Sequence, residues 1–593
     1  MRNRISIGVF LLFLVLLTFL PRLLSLSAHW SSDESLWMRR SRTFVSALEN
    51  GQFSETLTTH HPGVTTMWLG GAAIWMSSGK HSGSEWANSI EFFSPPILRR
   101  LRLPIAYLSG VLILLAGVLL YRLLGGVFAG MSVLFLCIDP FLIAESRKVH
   151  TDILTAEFLF LTVLLWFCYL EGGTQRRRDL VASGICFGLA CLTKSHAGAF
   201  LLFLPVLLFW YVKQRHFSRK QLLISTLFFS SVSLLTVLCV WPYLWTFTFG
   251  KLLISPLLLL GCGGLLFWSG KKLKAPGALR RTEILILVGG LILIAGLSCA
   301  AAVSVFERMY DALTNAHEWP KLFLGNIRYN PGHLYYPVMC FVWSAPLTLP
   351  LTFLAIYGVW RQRHQEKKAF RIAVVLLLFV LFYGIGLSFV AKKIARYLVI
   401  FLPAVSLLSA MGAIYMTQYF SRKHLRFLLL LTVIVLQAVP VLKLHPYYAT
   451  YHFPLLPAQW VAKNTSVGGG IGLDVAAAYL NAKPDAPDLQ VRLSRFSSNL
   501  NKYFVGNTWR RRNSDTFRHN IDFDYDVEYV RGRQIQGTPV DRLPEGGNPP
   551  SVLLRRSDLH RELEHVVRLN GVDYVWIYRV RNTRADEIPA ETH

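Results

Sequence analysis

The chain has 593 residues, of which 53% are hydrophobic and only 16% are charged, and its mean hydropathy is +0.41. Soluble domains carry about 25% charged residues, so the composition excludes an ordinary cytosolic enzyme. The net charge is +27, from 61 Lys and Arg against 34 Asp and Glu, and in a soluble protein such an excess would indicate nucleic-acid binding. Here most basic residues stand in short loops between apolar runs, which is typical of a protein that spans a membrane many times.

Thirteen apolar runs are predicted to cross the bilayer, since a crossing needs roughly 20 residues. The first, residues 5–26, is interpreted as a retained helix; the alternative is a signal peptide cleaved near Ser25-Leu26-Ser27. The others lie near 103–121, 127–144, 153–171, 180–195, 197–212, 221–245, 251–269, 283–305, 338–360, 372–391, 397–418 and 425–442. Every second connection is basic, which the positive-inside rule explains if the N-terminus faces the cytoplasm.

Two segments on the predicted outer side, about 28–102 and 306–337, are too polar to span as a whole. Residues 63–78 of the first segment are apolar but short, so we expect an interfacial or re-entrant stretch. The second segment mixes charged and aromatic residues, which predicts helices lying on the membrane surface.

The composition changes after residue 442, where charges, Gly and Pro return and no run is long enough to span. Residues 524–529 and 573–578 have the pattern of strands. We therefore predict a polytopic α-helical membrane domain over 1–442 and a soluble α/β domain on the outer face over 443–593.

Two groups on the first outer loop have side chains suited to chemistry. Adjacent carboxylates such as Asp33 and Glu34 can divide the roles of general base and orienting group. The alternative is a solvated helix start that Asp33 caps. His60 and His61 follow on the same loop; one interpretation is a metal site, and the other is contact with a polar substrate.

Two clusters place cations at the outer membrane boundary. Residues 147–152, Arg-Lys-Val-His-Thr-Asp, fit either snorkelling cations with an N-capping Asp152 or a phosphate site. Residues 392–397, Lys-Lys-Ile-Ala-Arg-Tyr, lie where the positive-inside rule disfavours cations, which favours a lipid-linked phosphate over anionic headgroups as the ligand. Lys194 and His196, on another outer loop, extend this basic field.

Outward-facing carboxylates and cations around a membrane core fit two classes of protein. One is an enzyme that acts on a lipid-phosphate-linked group at the outer leaflet. The other is a transporter, whose sites usually lie at the bilayer midplane on broken helices within internal repeats. Neither feature of transporters is visible in the sequence, so the enzyme is favoured.

Four of these motifs, taken together, resemble the GT-C-fold glycosyltransferases, above all the protein O-mannosyltransferase and aminoarabinose transferase superfamily in its bacterial branch. The motifs are Asp33-Glu34, His61-Pro62-Gly63-Val64-Thr65-Thr66-Met67-Trp68, His150-Thr151-Asp152 and Lys393-Ile394-Ala395-Arg396-Tyr397. Residues 445–480 are similar too, but Gly469 and Ile471 stand where relatives often carry Trp and Glu, and no role is assigned to that stretch.

The resemblance implies a GT-C fold and transfer of a sugar from a polyprenyl-phosphate donor, by a single inverting displacement, at the outer face of a bacterial inner membrane. It implies that the catalytic residues are Asp33, Glu34 and Asp152: Asp33 is the general base with Glu34 beside it, and Asp152 supports the site or orients the acceptor. The residues implied to bind the donor phosphate are His61, Lys148, Lys393, Arg396 and Tyr397.

The implied acceptor is a protein, a lipid or a glycan, and neither it nor the sugar follows from the sequence. The expected partners are the lipid donor, the acceptor and membrane lipids, without nucleic acid. No cofactor is expected, although Asp33, Glu34 and the histidines can recruit a divalent metal. The alternative function is a non-catalytic transporter or a scaffold in surface-glycan assembly.

Overall fold

The computed structural model describes residues 2–59, 62–172, 177–213, 218–246, 320–362, 368–494, 497–510, 522–536 and 561–580. Within these ranges the chain is mostly helical as far as Leu444, and a five-stranded sheet follows.

The helices are α1 (Arg2–Leu23), α2 (Glu34–Glu49), α3 (Val64–Ser78), α4 (Gly83–Ser89), α5 (Pro95–Leu124), α6 (Gly126–Cys137), α7 (Pro140–Ser146), α8 (Asp152–Glu171), α9 (Arg177–Thr193), α10 (Phe200–Lys213), α11 (Arg219–Val240), α12 (Tyr335–Trp343), α13 (Thr348–Arg361), α14 (Lys368–Phe389), α15 (Leu402–Met416), α16 (Lys423–Leu444), α17 (Ala458–Asn464), α18 (Leu473–Asn481) and α19 (Val530–Gln536). The strands are β1 (Lys321–Phe323), β2 (Asn326–Arg328), β3 (Gln490–Leu493), β4 (Asn507–Arg510), β5 (Tyr525–Tyr529), β6 (Arg561–Leu569) and β7 (Val572–Val580).

Six helical segments among the described residues are long and apolar enough to cross a membrane, or eight if the bent pairs α6–α7 (66°) and α12–α13 (110°) each count as one span. Of the thirteen predicted runs, 251–269 and 283–305 lie outside the described residues, and each of the other eleven overlaps a helix or a helix pair. The mostly helical, many-spanning membrane architecture is thus confirmed, and the count of thirteen stays a prediction.

Helix α8 is the centre of the helical core. The most apolar 18 residues of this helix are entirely buried inside the protein, as expected for a helix that is hydrophobic on all sides. It packs chiefly against α5 and α9, and also contacts α7 and α15. Because α8 begins at Asp152, this packing fixes the position of that carboxylate at one end of the core.

The segment predicted to hold surface helices forms a hairpin where it is described. Strands β1 and β2 pair antiparallel, and Leu324 and Gly325 between them have φ of +49° and +75°. Two positive φ angles in a two-residue turn match the twist of antiparallel strands, so the helical prediction is wrong for 321–328. Residues 306–319 lie outside the described residues.

The strands after α18 form one mixed sheet in the order β4-β3-β5-β7-β6. Strand β3 runs parallel to β4 and β5, whereas β7 runs antiparallel to β5 and β6. The two strands predicted from the sequence are confirmed as β5 and β7. We call the part from α17 to β7 the C-terminal unit; it has its own apolar core, and its placement on the outer face stays a prediction.

The C-terminal unit holds the chain just before α2. Asp474 accepts a hydrogen bond of 2.9 Å from the backbone N–H of His29, and Asn499 donates to the carbonyl of Trp30 at 3.1 Å. At Gly470, φ is +93° and a Cβ would lie 1.9 Å from the same carbonyl, so only glycine allows this approach. The stretch to which the sequence assigned no role therefore supports the loop that leads to Asp33.

Candidate active site

Asp33 and Glu34 are adjacent in sequence, but their carboxylates enter different surroundings. Helix α2 begins at Glu34, and Asp33 at its N-cap position makes no side-chain capping hydrogen bond. The capping alternative for Asp33 is therefore wrong. Its side chain is 36% exposed, whereas that of Glu34 is fully buried.

Glu34 belongs to what we call the anchoring network. Its two oxygens accept hydrogen bonds from Arg102 Nε at 2.7 Å and Nη2 at 2.5 Å, and from the backbone N–H groups of Ser31 and Val149 at 2.9 Å. Arg102, in α5 and also fully buried, donates at 2.7–2.8 Å to the carbonyls of Leu26, Ala28 and His29. Both oxygens of Glu34 are thus engaged in fixing the loop before α2.

Asp33 belongs to a second group, which we call the open cluster: Asp33, His150, Asp152, Lys194 and Arg396. Arg396 joins its two carboxylates, with Nη1 2.6 Å from Asp33 Oδ2 and Nε 2.9 Å from Asp152 Oδ2. Lys194 Nζ lies 2.5 Å from the other oxygen of Asp152. Residues far apart in sequence are therefore brought together by α2, α8 and the turns after α9 and α14.

His150 lies between the two carboxylates of the open cluster. Its Nδ1 is 3.0 Å from Asp152 Oδ2, and its Nε2 is 3.7 Å from Asp33 Oδ2. Burial, reinforced by the charge of Arg396, lowers the pKa of His150 below 6.5, so the imidazole is neutral at pH 7. Two carboxylates and two cations then balance one another.

The carboxyl group of Asp33 is ionised over the whole physiological range. Burial is the largest influence and by itself raises its pKa, but the charge of Arg396, the nearby His150 and a hydrogen bond from Arg396 together outweigh burial and lower the pKa from 3.8 to about 2. Because Asp152 is only 2% exposed, Asp33 is the carboxylate of the cluster that a second reactant can approach.

The residues implied to bind phosphate are not all brought together. His61 lies outside the described residues. Lys148 pairs with Glu145 at 2.5 Å, and Lys393, 1% exposed, donates at 2.7 Å to the carbonyls of Ser388 and Val390 at the end of α14. Lys393 is therefore a capping residue, since cations near a helix C-terminus stabilise its last carbonyls.

The remaining two phosphate candidates lie in or against the open cluster. Arg396 is its central cation, and the ring of Tyr397 has Lys194 Nζ 4.1 Å from its centroid. Arg147, from the other basic motif, donates to the carbonyls of Pro21, Leu24 and Ser25, which is a structural role at the end of α1.

Sequence reasoning missed Arg102 as the partner of Glu34. The signal was available, because a charged residue in an apolar helix usually has a buried partner. For a metal, no group of three or more His, Cys, Asp or Glu side chains in the described part of the chain is placed to hold an ion. Independence from metals stays a prediction.

Comparisons with known proteins add the following. Residues 95–245 match the family model described as dolichyl-phosphate-mannose-protein mannosyltransferase, and no curated protein sequence matches the chain. The fold is similar to that of the Archaeoglobus fulgidus oligosaccharyltransferase in the apo form, with 13% identity, a TM-score of 0.47 and coverage of 89% of this chain and 70% of that one.

The fold is also similar to that of ArnT from Cupriavidus metallidurans. The apo state gives 13% identity, a TM-score of 0.45 and coverage of 97% and 98% of the two chains; the form bound to undecaprenyl phosphate gives 14%, 0.42, 96% and 98%. The segment matched by the family model contains Lys148, His150, Asp152 and Lys194. That match confirms the resemblance of this chain to the protein O-mannosyltransferase family of membrane glycosyltransferases.

Proposed function

We propose that this protein transfers a sugar from a polyprenyl-phosphate donor to an acceptor at the outer face of the cytoplasmic membrane, by a single inverting displacement. The observation that carries the proposal is the open cluster, in which an accessible carboxylate, Asp33, shares one guanidinium with a buried carboxylate, Asp152. The family match over 95–245 supports sugar transfer, and the apolar helices around the cluster suit a lipid-linked donor.

The displacement needs one base and stabilisation of one leaving group. The acceptor oxygen attacks the anomeric carbon of the donor while Asp33 takes the acceptor's proton. The bond from the anomeric carbon to the phosphate oxygen breaks, and the phosphate leaves with the bonding electrons. Because that oxygen belongs to a phosphate, it departs as an anion without a general acid, and cations stabilise its growing charge.

Arg396 connects these two requirements. While its Nη1 pairs with Asp33, the low pKa of that carboxyl group makes it a weak base, and general-base catalysis is most efficient when the pKa lies near the working pH. A donor phosphate competes for Nη1, whereas Nε stays on Asp152. Donor binding therefore releases Asp33 and raises its basicity, and the donor binds before transfer begins.

The other two carboxylates position this machinery. Asp152, held by Lys194 and His150, fixes Arg396 at the boundary of the helical core. Glu34 acts through Arg102 on the backbone that places Asp33, so we assign it as a positioning residue instead of a second catalytic carboxylate.

The test is sugar transfer by the purified protein in nanodiscs, supplied with a panel of radiolabelled polyprenyl-phosphate sugars. We expect donor consumption by the wild type and its loss in Asp33→Asn. Asp573→Asn is the matched control, because Asp573 is 33% exposed and pairs with Arg568 on the hairpin β6–β7. A wild type that neither binds nor consumes any donor would favour the transporter or scaffold.

A further inference from the structure

The phosphate ligands implied by the motifs leave little uncompensated positive charge for a donor. Among those that are described, Arg396 already faces two carboxylates, Lys148 faces Glu145, and Lys393 is engaged by backbone carbonyls. A phosphate that binds beside Arg396 would therefore need further cations to compensate its charge.

Lys321 of β1 is a buried cation that has no carboxylate or carbonyl partner among the described residues. The residue is 5% exposed, and its Nζ has no hydrogen-bond partner in the described part of the chain. The ring of Tyr335 has its centroid 5.9 Å from Nζ. An ammonium group out of water without a partner is strongly unfavourable, so the position calls for an anionic ligand.

Within the described part of the chain, the charges that act most strongly on Lys321 are all cations. They belong to Arg531 in α19, Arg396, Lys392 and Lys393. Burial, and then these four charges, lower the pKa of Lys321 to about 7. Arg531 is half-buried, and the charge of Asp33, a member of the open cluster, acts on it.

The packing explains why β1 and α19 meet there. Phe323 of β1 forms a backbone bridge with Thr465, and Gln534 of α19 donates to the carbonyl of Thr465 at 2.9 Å. On the other side, Phe323 packs on Tyr335 with ring centroids 5.4 Å apart. The hairpin is thereby fixed between the C-terminal unit and the start of α12.

The same aromatic cluster connects the hairpin to the open cluster. Tyr336 packs on Tyr335 with ring centroids 5.2 Å apart, and its hydroxyl accepts a hydrogen bond of 3.2 Å from the backbone N–H of Ile394. Ile394 is two residues before Arg396. Lys321 is therefore tied to the turn that carries the central guanidinium.

We propose that Lys321 and Arg531 join Arg396 in binding the phosphate of the lipid-linked donor, an inference that rests on the proposed function. The C-terminal unit, through Arg531, would then complete the donor site. The donor phosphate is a diester with one negative charge, and it becomes a monoester with up to two charges when the sugar leaves. The ammonium group of Lys321 and the guanidinium group of Arg531 stabilise that second charge. They therefore bind the departing phosphate more tightly than the intact donor.

The experiment measures binding of undecaprenyl phosphate without sugar, with undecaprenol as the uncharged probe. We expect Lys321→Met and Arg531→Gln each to weaken binding of the phosphate by roughly tenfold to a hundredfold, as the loss of a charge-assisted hydrogen bond does, and to leave binding of the alcohol unchanged. Lys463→Met, which alters an exposed lysine of the same unit, is the control and should bind both probes as the wild type does.

Thermal unfolding gives a readout that separates ligand binding from folding. Without ligand, Lys321→Met should raise the melting temperature, because it removes an unpaired buried charge, and the upward shift that undecaprenyl phosphate gives the wild type should shrink. Lys321→Arg should restore that shift. Unchanged phosphate affinity in both Lys321→Met and Arg531→Gln would overturn the inference.

The two proposals fail in different ways. If Asp33→Asn abolishes sugar transfer while both cation variants keep the affinity of the wild type, the transferase stands and this phosphate site is wrong. If both cation variants lose phosphate affinity but the wild type transfers no sugar from any donor, the site stands and the transferase is wrong.

Discussion

The anchoring network and the open cluster begin at adjacent carboxylates but are built for different purposes. In the anchoring network, both side chains of the ion pair are fully buried, and Glu34 accepts hydrogen bonds at both oxygens. In the open cluster, one guanidinium serves two carboxylates, and one of these is a third exposed. The comparison teaches that two carboxylates of similar chemistry can differ in their number of hydrogen-bond partners and in exposure, and on this difference we base the roles proposed for Glu34 and Asp33.

Asp33→Asn should have the largest effect on catalysis. It removes the proposed base, and a general base contributes roughly a hundredfold to ten-thousandfold to the rate, while the partly exposed side chain keeps its volume. Single-turnover transfer at saturating donor should fall by that factor in a variant that still folds, although the loss of the ion pair with Arg396 lowers its melting temperature. Transfer within threefold of the wild type would show that the accessible carboxylate is not the base.

Glu34→Gln makes the same chemical change, from a carboxylate to an amide, one residue later. We expect this variant to lose stability of the fold, whereas Asp33→Asn loses catalysis. Breaking a buried ion pair by removing one charge costs about 3–5 kcal/mol, because the guanidinium of Arg102 loses its carboxylate in a fully buried position. Thermal or denaturant unfolding in detergent measures the loss. If the variant is as stable as the wild type but transfers no sugar, Glu34 is catalytic, as the motif resemblance implied.

Arg396→Gln should move the acid limb of the pH profile of kcat/KM. In the wild type the pKa of Asp33 is lowered to about 2, so the base stays ionised as the pH falls from 7 to 4. Without Arg396, burial acts in the opposite direction, and activity should begin to fall above pH 4. Arg422→Gln, at an exposed arginine, should keep the profile of the wild type.

The same shift has a stability consequence with a defined sign. The folded-state pKa of Asp33 lies below its usual value of 3.8, so the ionised group stabilises the fold above that value and the contribution is lost as the pH falls toward 2. In Arg396→Gln the free energy of unfolding should therefore lose less as the pH falls from 4 toward 2 than it does in the wild type. An acid limb of kcat/KM unchanged from that of the wild type would contradict the pairing of Arg396 with Asp33.

The smallest effect is expected outside both networks. Arg568 pairs with Asp573 at 2.5 Å, but the two side chains are 66% and 33% exposed, and exposed ion pairs contribute little to stability. The melting temperature and transfer rate of Arg568→Gln should match those of the wild type. A clear loss of stability would mean that the exposure of an ion pair does not determine how much the pair contributes to the stability of this protein.

Much of the open cluster could be predicted from the sequence. Counting apolar runs predicts Asp33, Asp152 and Arg396 on one membrane face, although it does not predict that Arg396 pairs with both carboxylates. The strands β5 and β7 were also predictable, since their residues have strong strand preferences.

The roles of individual cations could not be predicted. A sequence does not tell whether a lysine reaches a ligand or a carbonyl of the preceding helix, and Lys393 does the latter. It also does not pair Glu34 with Arg102, 68 positions later, or place Lys321 beside residues from three separate segments. These assignments depend on side-chain geometry, which helix packing decides after the spans are known.

The contacts between the C-terminal unit and the loop before Asp33 also set a time order in the life of each molecule. Asp474, Asn499 and Tyr503 hold the backbone of residues 27–30 across sequence separations of 445, 469 and 476. At roughly 5–20 residues per second, the ribosome finishes those partners tens of seconds after it has made the loop. A chain halted before residue 470 thus contains every motif of the open cluster and lacks the contacts that support the loop before Asp33.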